Sequence, residues 1–401
     1  NLAYPTTIQK NNIRIFGKVT ITPLKNVKLV GEYTYNHLSN EKTKFEKKFY
    51  YAHGGNFVKE VSTANSKYEY SNGITDYNAL NFYANYNNSW GKHDVTVMGG
   101  FNQESSDYRY AEMSRMNMIN EDLPSISQST GDYFAKDKFE RYTVRGLFYR
   151  INYSFAGKYL LETNGRYDGS SKFPKNSRFG FFPSVSAGWR ISEESFMKPI
   201  AWLNNLKLRA SYGTLGNINN VGYYDYFELL SSNANYNFND EPVKGVLEAQ
   251  ITNKTLGWET VALADFGLDV DLFDNKLSVT ADYYIKNTKD ILLGYNVPAE
   301  TGIWTKPVMN LAKVRNTGFE LAATYRNKIG DLSYSVSGNI ATNNNEIVTL
   351  AGSDNMIQNG GDVVRYILKE GEAIGSYYGL ETDGLYLSGR YDCHVIHHYY
   401  L

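Results

Sequence analysis

Segments of period-two alternation, connections that run alternately short and long, and rings gathered near segment ends together predict an all-β chain. The class they point to is an antiparallel transmembrane β-barrel. The stretch "YLLETNGRYDGSSKF" (159–173) shows the alternation. Tyr159, Leu161, Thr163, Gly165 and Tyr167 fall on one face, and Leu160, Glu162, Asn164, Arg166 and Asp168 on the other. In a soluble sandwich the first face would meet a protein core. In strands long enough to cross a bilayer it meets lipid, and the second face looks into a wet interior.

About twelve extended segments follow one another along the 401 residues. Segments near 13–21 and 27–36 are joined by "TPLKN", and those near 77–89 and 93–104 by "SWGKH". The next pair, 142–154 and 158–168, is joined by "FAGK". In "GLFYRINYSF", Leu147, Tyr149, Ile151, Tyr153 and Phe155 oppose Phe148, Arg150, Asn152 and Ser154. Segments 183–192 and 204–214 flank "SEESFMKPIAWLNN", which has room for a helical turn. Segments 260–271 and 277–287 are joined by "FDNK". There Phe266, Leu268, Val270 and Leu272 oppose Asp265, Gly267, Asp269 and Asp271. Leu277, Val279, Ala281, Tyr283 and Ile285 likewise oppose Ser278, Thr280, Asp282 and Tyr284. The last pair, 314–326 and 332–342, is joined by "NKIGD". Most segments run about 9 to 13 residues, where a tilted bilayer-crossing strand needs about 9–11.

Between these pairs lie long polar segments, near 37–76, 105–139, 169–182, 215–259, 288–313 and from 344 onwards. Tight turns on one side and large loops on the other are what a membrane barrel produces. Tyr33, Tyr35, Trp90, Tyr153, Phe155, Tyr159, Tyr167, Trp189 and Trp202 are expected near strand ends, where interface girdles place amphipathic rings. The plain alternative is that tyrosine favours strands in general. Closure follows from physics, because an unpaired strand edge in hydrocarbon leaves backbone N–H and C=O groups unsatisfied.

Composition agrees. The net charge is −1 and the sequence pI is near 6.7, so nothing electrostatic calls for nucleic acid as a partner. Mean hydropathy is −0.47, and no run approaches the roughly 18 apolar residues of a spanning helix. With 35 Tyr and 20 Phe against 9 Pro, the chain suits strands with one dry and one wet side. A single Cys excludes an internal disulfide framework. The opening "NLAYPTTIQK" lacks a basic-then-apolar segment, so either a signal peptide has been removed or the sequence begins partway through a larger protein.

Several stretches also resemble one family: "RYDGSSKFPKNSRFGFFPSVSAGWRISEESFM" (166–197), "LNNLKLRASYGTLGN" (203–217), "LGWETVALADFGLDVDLFDNKLSVTADYYIKNTKDILL" (256–293) and "NTGFELAATYR" (316–326). So do "GKHDVTVMGGFNQE" (91–104) and, more loosely, "GSYYGLETDGLY" (375–386). They are similar to the barrel of SusC/RagA-type TonB-dependent transporters of the Bacteroidota outer membrane, in the family's order. The resemblance implies a larger barrel of roughly 22 strands, of which this chain is a part. It also implies an N-terminal plug, a TonB-contacting segment and a SusD-like surface lipoprotein that helps capture oligosaccharides or peptides. Nothing here resembles the plug or the family's last strands. The chain is therefore expected to be a barrel fragment over 1–388 that does not transport by itself. Its implied partners are outer-membrane lipid, the SusD-like lipoprotein, the TonB complex through the missing plug region, and an oligosaccharide or peptide. The tail 389–401, "GRYDCHVIHHYYL", loses the alternation and is expected to be an out-of-frame or cloning-derived end.

Catalytic motifs are absent: there is no H-E-x-x-H, G-x-S-x-G, phosphate-binding glycine loop or C-x-x-C. Glu193 and Glu194 are neighbours that point apart in an extended or turn segment. Asp265, Asp269, Asp271 and Asp282 could gather a cation, but a solvated lumen face explains them better. In "RYDGSS", Arg166 and Asp168 are expected to engage lumen neighbours and Gly169 to permit a turn. Cys393, His394, His397 and His398 offer close ligands, yet the broken pattern speaks against a metal site. No catalytic residue, metal or cofactor is expected. Binding chemistry is expected in the long loops, where rings interleave with Asn and Asp. The candidates are Tyr223, Tyr224, Tyr226, Phe227 and Tyr236, with Phe238 beside them, and Trp304; Tyr50, Tyr51 and Tyr68 lie in the first loop. The alternative is that these rings pack loops together or meet the lipoprotein. The rival functions are a passive porin or adhesin barrel, and a soluble carbohydrate-binding β-protein or glycoside hydrolase.

Overall fold

The computed structural model describes residues 6–47, 50–53, 57–60, 66–248, 251–295, 297, 300, 302, 306–351, 356–359 and 365–378. The tail 389–401 with its Cys and His, Trp304, and the side chains of Tyr50 and Tyr51 lie outside the described residues. Twelve long strands make one antiparallel sheet in simple chain order. They are β1 (Thr6–Leu24), β2 (Val27–Glu46), β3 (Lys67–Trp90), β4 (His93–Met116), β5 (Tyr133–Phe155) and β6 (Tyr159–Ser170). β7 (Phe179–Arg190), β8 (Leu203–Asn217), β9 (Glu259–Leu272), β10 (Leu277–Gly294), β11 (Val308–Ile329) and β12 (Leu332–Leu350) complete it. All twelve predicted strands are present, as are the short connections. Gly91 and Gly330, with φ of 58° and 61°, allow two of the tightest turns.

The strands are longer than their alternation suggested, and the added length lies at the long-loop end. β2 runs to Glu46 rather than 36, β3 starts at Lys67 rather than 77, and β4 runs to Met116 rather than 104. At 24 residues and ~3.3 Å each, β3 and β4 extend ~80 Å along the strand, well past a hydrocarbon core of ~30 Å. Outside the bilayer both faces of a strand meet water, so the period-two signal disappears while the backbone ladder continues. Tyr33 and Tyr35 are accordingly mid-strand. Their hydroxyls donate to Asn78 (2.6 Å) and Asp76 (2.8 Å), at the outer end of the alternating stretch rather than at the strand end.

The chain divides into two units, 1–84 with 100–146, and 85–99 with 147–401. In the first, cross-strand ion pairs stand where apolar pairs are lacking: Lys42–Glu69 (3.4 Å), Lys136–Glu112 (3.0 Å) and a two-bond Arg141–Asp107 pair.

In the second unit the register sorts β6–β11 into two chemically opposite faces. One row reads Leu161, Ala187, Ala210, Phe266, Tyr283, Phe319, each residue paired with the next across the ladder. The row beside it reads Tyr159, Trp189, Leu208, Leu268, Ala281, Leu321. On the opposite face, the row of Glu162, Ser186, Ser211, Asp265 and Tyr284 lies next to one that holds Arg209 and Asp282. The apolar face is not buried in protein: Phe266 is 56 % exposed, and Tyr159, Trp189, Tyr283 and Phe319 are also exposed. A ring-rich exposed belt over six strands is a surface suited to lipid.

Rings bound this belt. Near the short turns Tyr159 stacks on Trp189 and on Phe155, and Trp202 packs on Phe273. Eight residues further along β6, Tyr167 stacks on Phe179 at 5.2 Å. Eight residues are ~26 Å of strand, or ~20 Å of height at the usual tilt, close to the apolar band of such barrels. Gly169 does not make a turn. It lies within β6, and a Cβ there would come 2.3 Å from the Phe179 ring.

Candidate functional site

Two surfaces of the second unit could meet a solute: the polar face of the sheet and the loop cluster at its long-loop end. On the polar face the acidic residues are organised around one arginine. Arg209 holds Asp269 through two bonds (2.8 and 3.1 Å) and reaches Asp282 at 2.8 Å. Gly267 lies between them across the ladder, and a Cβ there would stand 2.4 Å from Asp282 and 2.5 Å from the guanidinium. The glycine thus opens the path that lets one guanidinium serve two strands. Asn205 donates to Asp271 at 3.1 Å. Among the described residues, no group of three or more His, Cys, Asp and Glu is placed to hold a metal ion. Asp269 and Asp282 are thus joined through Arg209 on the polar face that alternation predicts. A hollow of about 450 Å³ opens beside it, lined by Asp94, Asn152, Glu162, Lys207 and Asp265 among others.

The loop cluster rests on a small core that its polar composition concealed. Phe173 and Leu256 are fully buried, with Val221 and Leu292 beside them and Ile218, Trp258 and Val308 packed around. Trp258 meets Phe173 and Phe182 at 5.0 and 5.2 Å, and its indole N–H donates to the Arg178 carbonyl. The Asn310 side chain exchanges hydrogen bonds with the Gly257 backbone in both directions. Asn253 donates to the Val308 carbonyl at 3.0 Å. These pins fix the end of the loop segment, residues 253–258, on the strands beneath.

Over this core the structure brings four of the candidate rings together. Tyr224 meets Phe227 edge-on at 5.9 Å, Tyr226 packs on Phe227 at 4.3 Å, and Tyr223 adjoins Tyr224 at 6.4 Å. Asp225 accepts from the Gly222 N–H and Tyr226 donates to the Ser171 carbonyl, so the turn is locked locally. Lys172, which no sequence motif marks, lies 4.8 Å above the Tyr223 ring and donates to the Val221 carbonyl. Its position next to Phe173, a lone ring in a polar loop, was the available signal. Glu228 follows, paired with Lys254 at 2.8 Å, and the ammonium holds that carboxyl below its usual range. Tyr236 stands apart from the four rings, on a hairpin of Leu230–Phe238 and Glu241–Glu248. Asn239 and Asp240 both take positive φ at its tip, as a type I′ turn requires. Tyr236 and Phe238 meet at 4.8 Å and are 66 % and 62 % exposed. Phe227 is exposed and Tyr223, Tyr224 and Tyr226 half-buried, so the cluster presents ring faces and edges beside carboxylates and amides.

The sequence matches the family described as TonB dependent receptor-like, beta-barrel, over residues 5–392. TonB-dependent receptor P39 of Formosa agariphila is 34% identical over 322 residues, which are 79% of this chain and 30% of that protein. TonB-dependent receptor SusC of Bacteroides thetaiotaomicron is 30% identical over 308 residues, 74% of this chain and 30% of that protein. The chain thus spans about a third of the length of these curated relatives. Among solved structures, the RagAB peptide importer in an open-open state superposes with a TM-score of 0.82 at 24% identity. That match covers 99% of this chain and 43% of the other. The outer membrane transporter YddB from Escherichia coli matches with a TM-score of 0.59 at 12% identity, over 93% of this chain and 47% of the other. These two likenesses show the fold. With the family match, the two-faced strands and the ring-bounded belt in place, the chain belongs to the TonB-dependent receptors of SusC/RagA type and forms part of an outer-membrane β-barrel.

Proposed function

We propose that the whole protein imports oligosaccharides or peptides across the outer membrane, driven by TonB through a plug that this chain does not contain, and works with a SusD-like lipoprotein. The residues of this chain supply wall, polar lumen surface and loop rim, with no catalytic group. The observation that carries the reading is the ring cluster of Tyr223, Tyr224, Tyr226 and Phe227, set on its own buried core at the long-loop end. In such barrels that end is extracellular. Apolar ring faces flanked by amides and carboxylates suit sugar rings, and they suit peptide side chains as well. SusC is named a TonB-dependent receptor and RagAB a peptide importer, and TonB dependence favours driven import over passive flow. Tyr236 is assigned to the same rim.

The test uses the full-length protein in cells that carry its lipoprotein partner. Uptake of labelled oligosaccharide and peptide pools is compared with and without an intact TonB system. Tyr223→Ala combined with Tyr226→Ala is expected to weaken capture by about tenfold. Uptake that continues at full rate without TonB would leave a passive barrel instead.

A further inference from the structure

The belt that faces lipid is not uniformly convex with side chains. Between its two first rows lies a groove of about 630 Å³, floored by Ala187, Ala210 and Ala281 and walled by rings. Tyr159 and Trp189 close it on the short-turn side, and Phe266, Tyr283 and Phe319 border it on the other. Ala187 and Ala210 pair directly across β7 and β8, and Ala281 lies on β10 in the adjacent row, so small side chains stand among the Leu, Phe and Tyr of the same two rows and leave the hollow over β7–β10.

We propose that this groove is a binding site for one acyl chain of a phospholipid in the periplasmic-side leaflet. The groove is continuous with the lipid-facing rows, so hydrocarbon is what covers it. Its leaflet follows from its position, next to the girdle at the short turns, which in such barrels are periplasmic. Apolarity alone gives no preference over bulk lipid, since lipid tails are as apolar as leucine. Shape does: a chain in the groove has contact on its floor and both sides, and each lost gap restores dispersion attraction.

The mouth of the groove also selects a headgroup. The Tyr159 hydroxyl (2.6 Å), the Trp189 indole N–H (3.2 Å) and the Lys158 ammonium (2.9 Å) all donate to Glu194. The two rings that close the groove are therefore held with their polar ends at the interface. Lys198 donates to Glu193 at 2.8 Å next to them. Two carboxylates and two ammonium groups, already paired with one another, make a neutral polar rim at this edge that suits a zwitterionic headgroup such as phosphatidylethanolamine better than one of net charge. The inference rests on the lipid-facing assignment and stands apart from the import reading.

The test is native mass spectrometry of the full-length protein, extracted from outer membranes in mild detergent, then delipidated and titrated with phosphatidylethanolamine. The expected result is saturation at one retained phospholipid. Ala210→Phe, which fills the groove with a residue the belt already uses, is expected to reduce retention about tenfold. Val185→Phe, on the same face one row away, leaves it unchanged. Heat-modifiable mobility on gels verifies that both variants fold, and Ala187→Leu replaces Ala210→Phe if that variant does not. Uptake without saturation, retention of lipopolysaccharide in place of phospholipid, or equal retention by the groove-filled variant would each overturn the proposal.

Discussion

The two faces of β6–β11 share one backbone and differ in almost everything else. Along the outer rows Ala210, Phe266 and Tyr283 meet nothing but neighbours and hydrocarbon. One residue away, Ser211, Asp265 and Tyr284 belong to a wet surface arranged around Arg209. The difference shows that these strands are specified by solvent on each side, with no protein core between. A globular sheet buries its apolar face against protein. Here the apolar face is the exposed one, and among the described residues the packed clusters lie at the long-loop end, in the loops and in the ends of β11 and β12.

The contrast is broken most severely by a charge on the wrong face. Phe266→Arg is expected to cost ~2–3 kcal/mol in unfolding from lipid or detergent, whereas Ser211→Arg on the opposite face should stay within ~0.5 kcal/mol. Equal costs would mean that both faces see the same medium. Removing the centre of the wet face is the next largest change. Arg209→Ala leaves Asp269 and Asp282 without their shared partner, at about 1–2 kcal/mol by denaturant titration. Arg209→Lys should recover less than half, because one ammonium cannot make a two-bond clasp and also span to a second strand.

The smallest effect is at the short-turn girdle. Three donors hold the Glu194 carboxyl down to about 2, with Tyr159 first among them. A depressed carboxylate stabilises the fold fully above its unfolded value, near 4.3, and loses that contribution as pH falls towards the folded value. The melting temperature of the parent should therefore exceed that of Glu194→Gln at pH 7, with the gap constant down to about pH 5 and closing between about pH 4 and 2. A gap that widened in acid would show that another group controls this turn.

How much of this was legible follows from the same physics. Where a strand lies between lipid and water, side chains must alternate, so "FGLDVDLF" and "KLSVTADYYIK" disclosed both their state and their faces. Where β2–β5 extend beyond the bilayer, water on both sides removes the pattern, and residues 37–46 and 105–116 read as loop although they are strand. The loop core stayed hidden for a different reason. Phe173, Val221, Leu256 and Trp258 come from segments far apart in sequence and have no periodicity to betray them. The ring cluster was visible as composition, but its division into a packed group of four and a separate Tyr236–Phe238 hairpin was not. Gly169 read as a turn and Gly267 only as a glycine, because which ring or guanidinium crosses them is a matter of register.

The most direct test of the two-faced wall is a spin-label scan in the full-length protein reconstituted in lipid, with Cys393 replaced by Ser. Single labels go at Leu161, Glu162, Ala210, Ser211, Phe266, Asp265, Tyr283 and Tyr284, and collision with oxygen is compared with collision with a water-soluble nickel chelate. The expected ratio alternates at every step, high for oxygen at Leu161, Ala210, Phe266 and Tyr283 and low at their neighbours. A ratio without period two over these positions would contradict the two-faced wall.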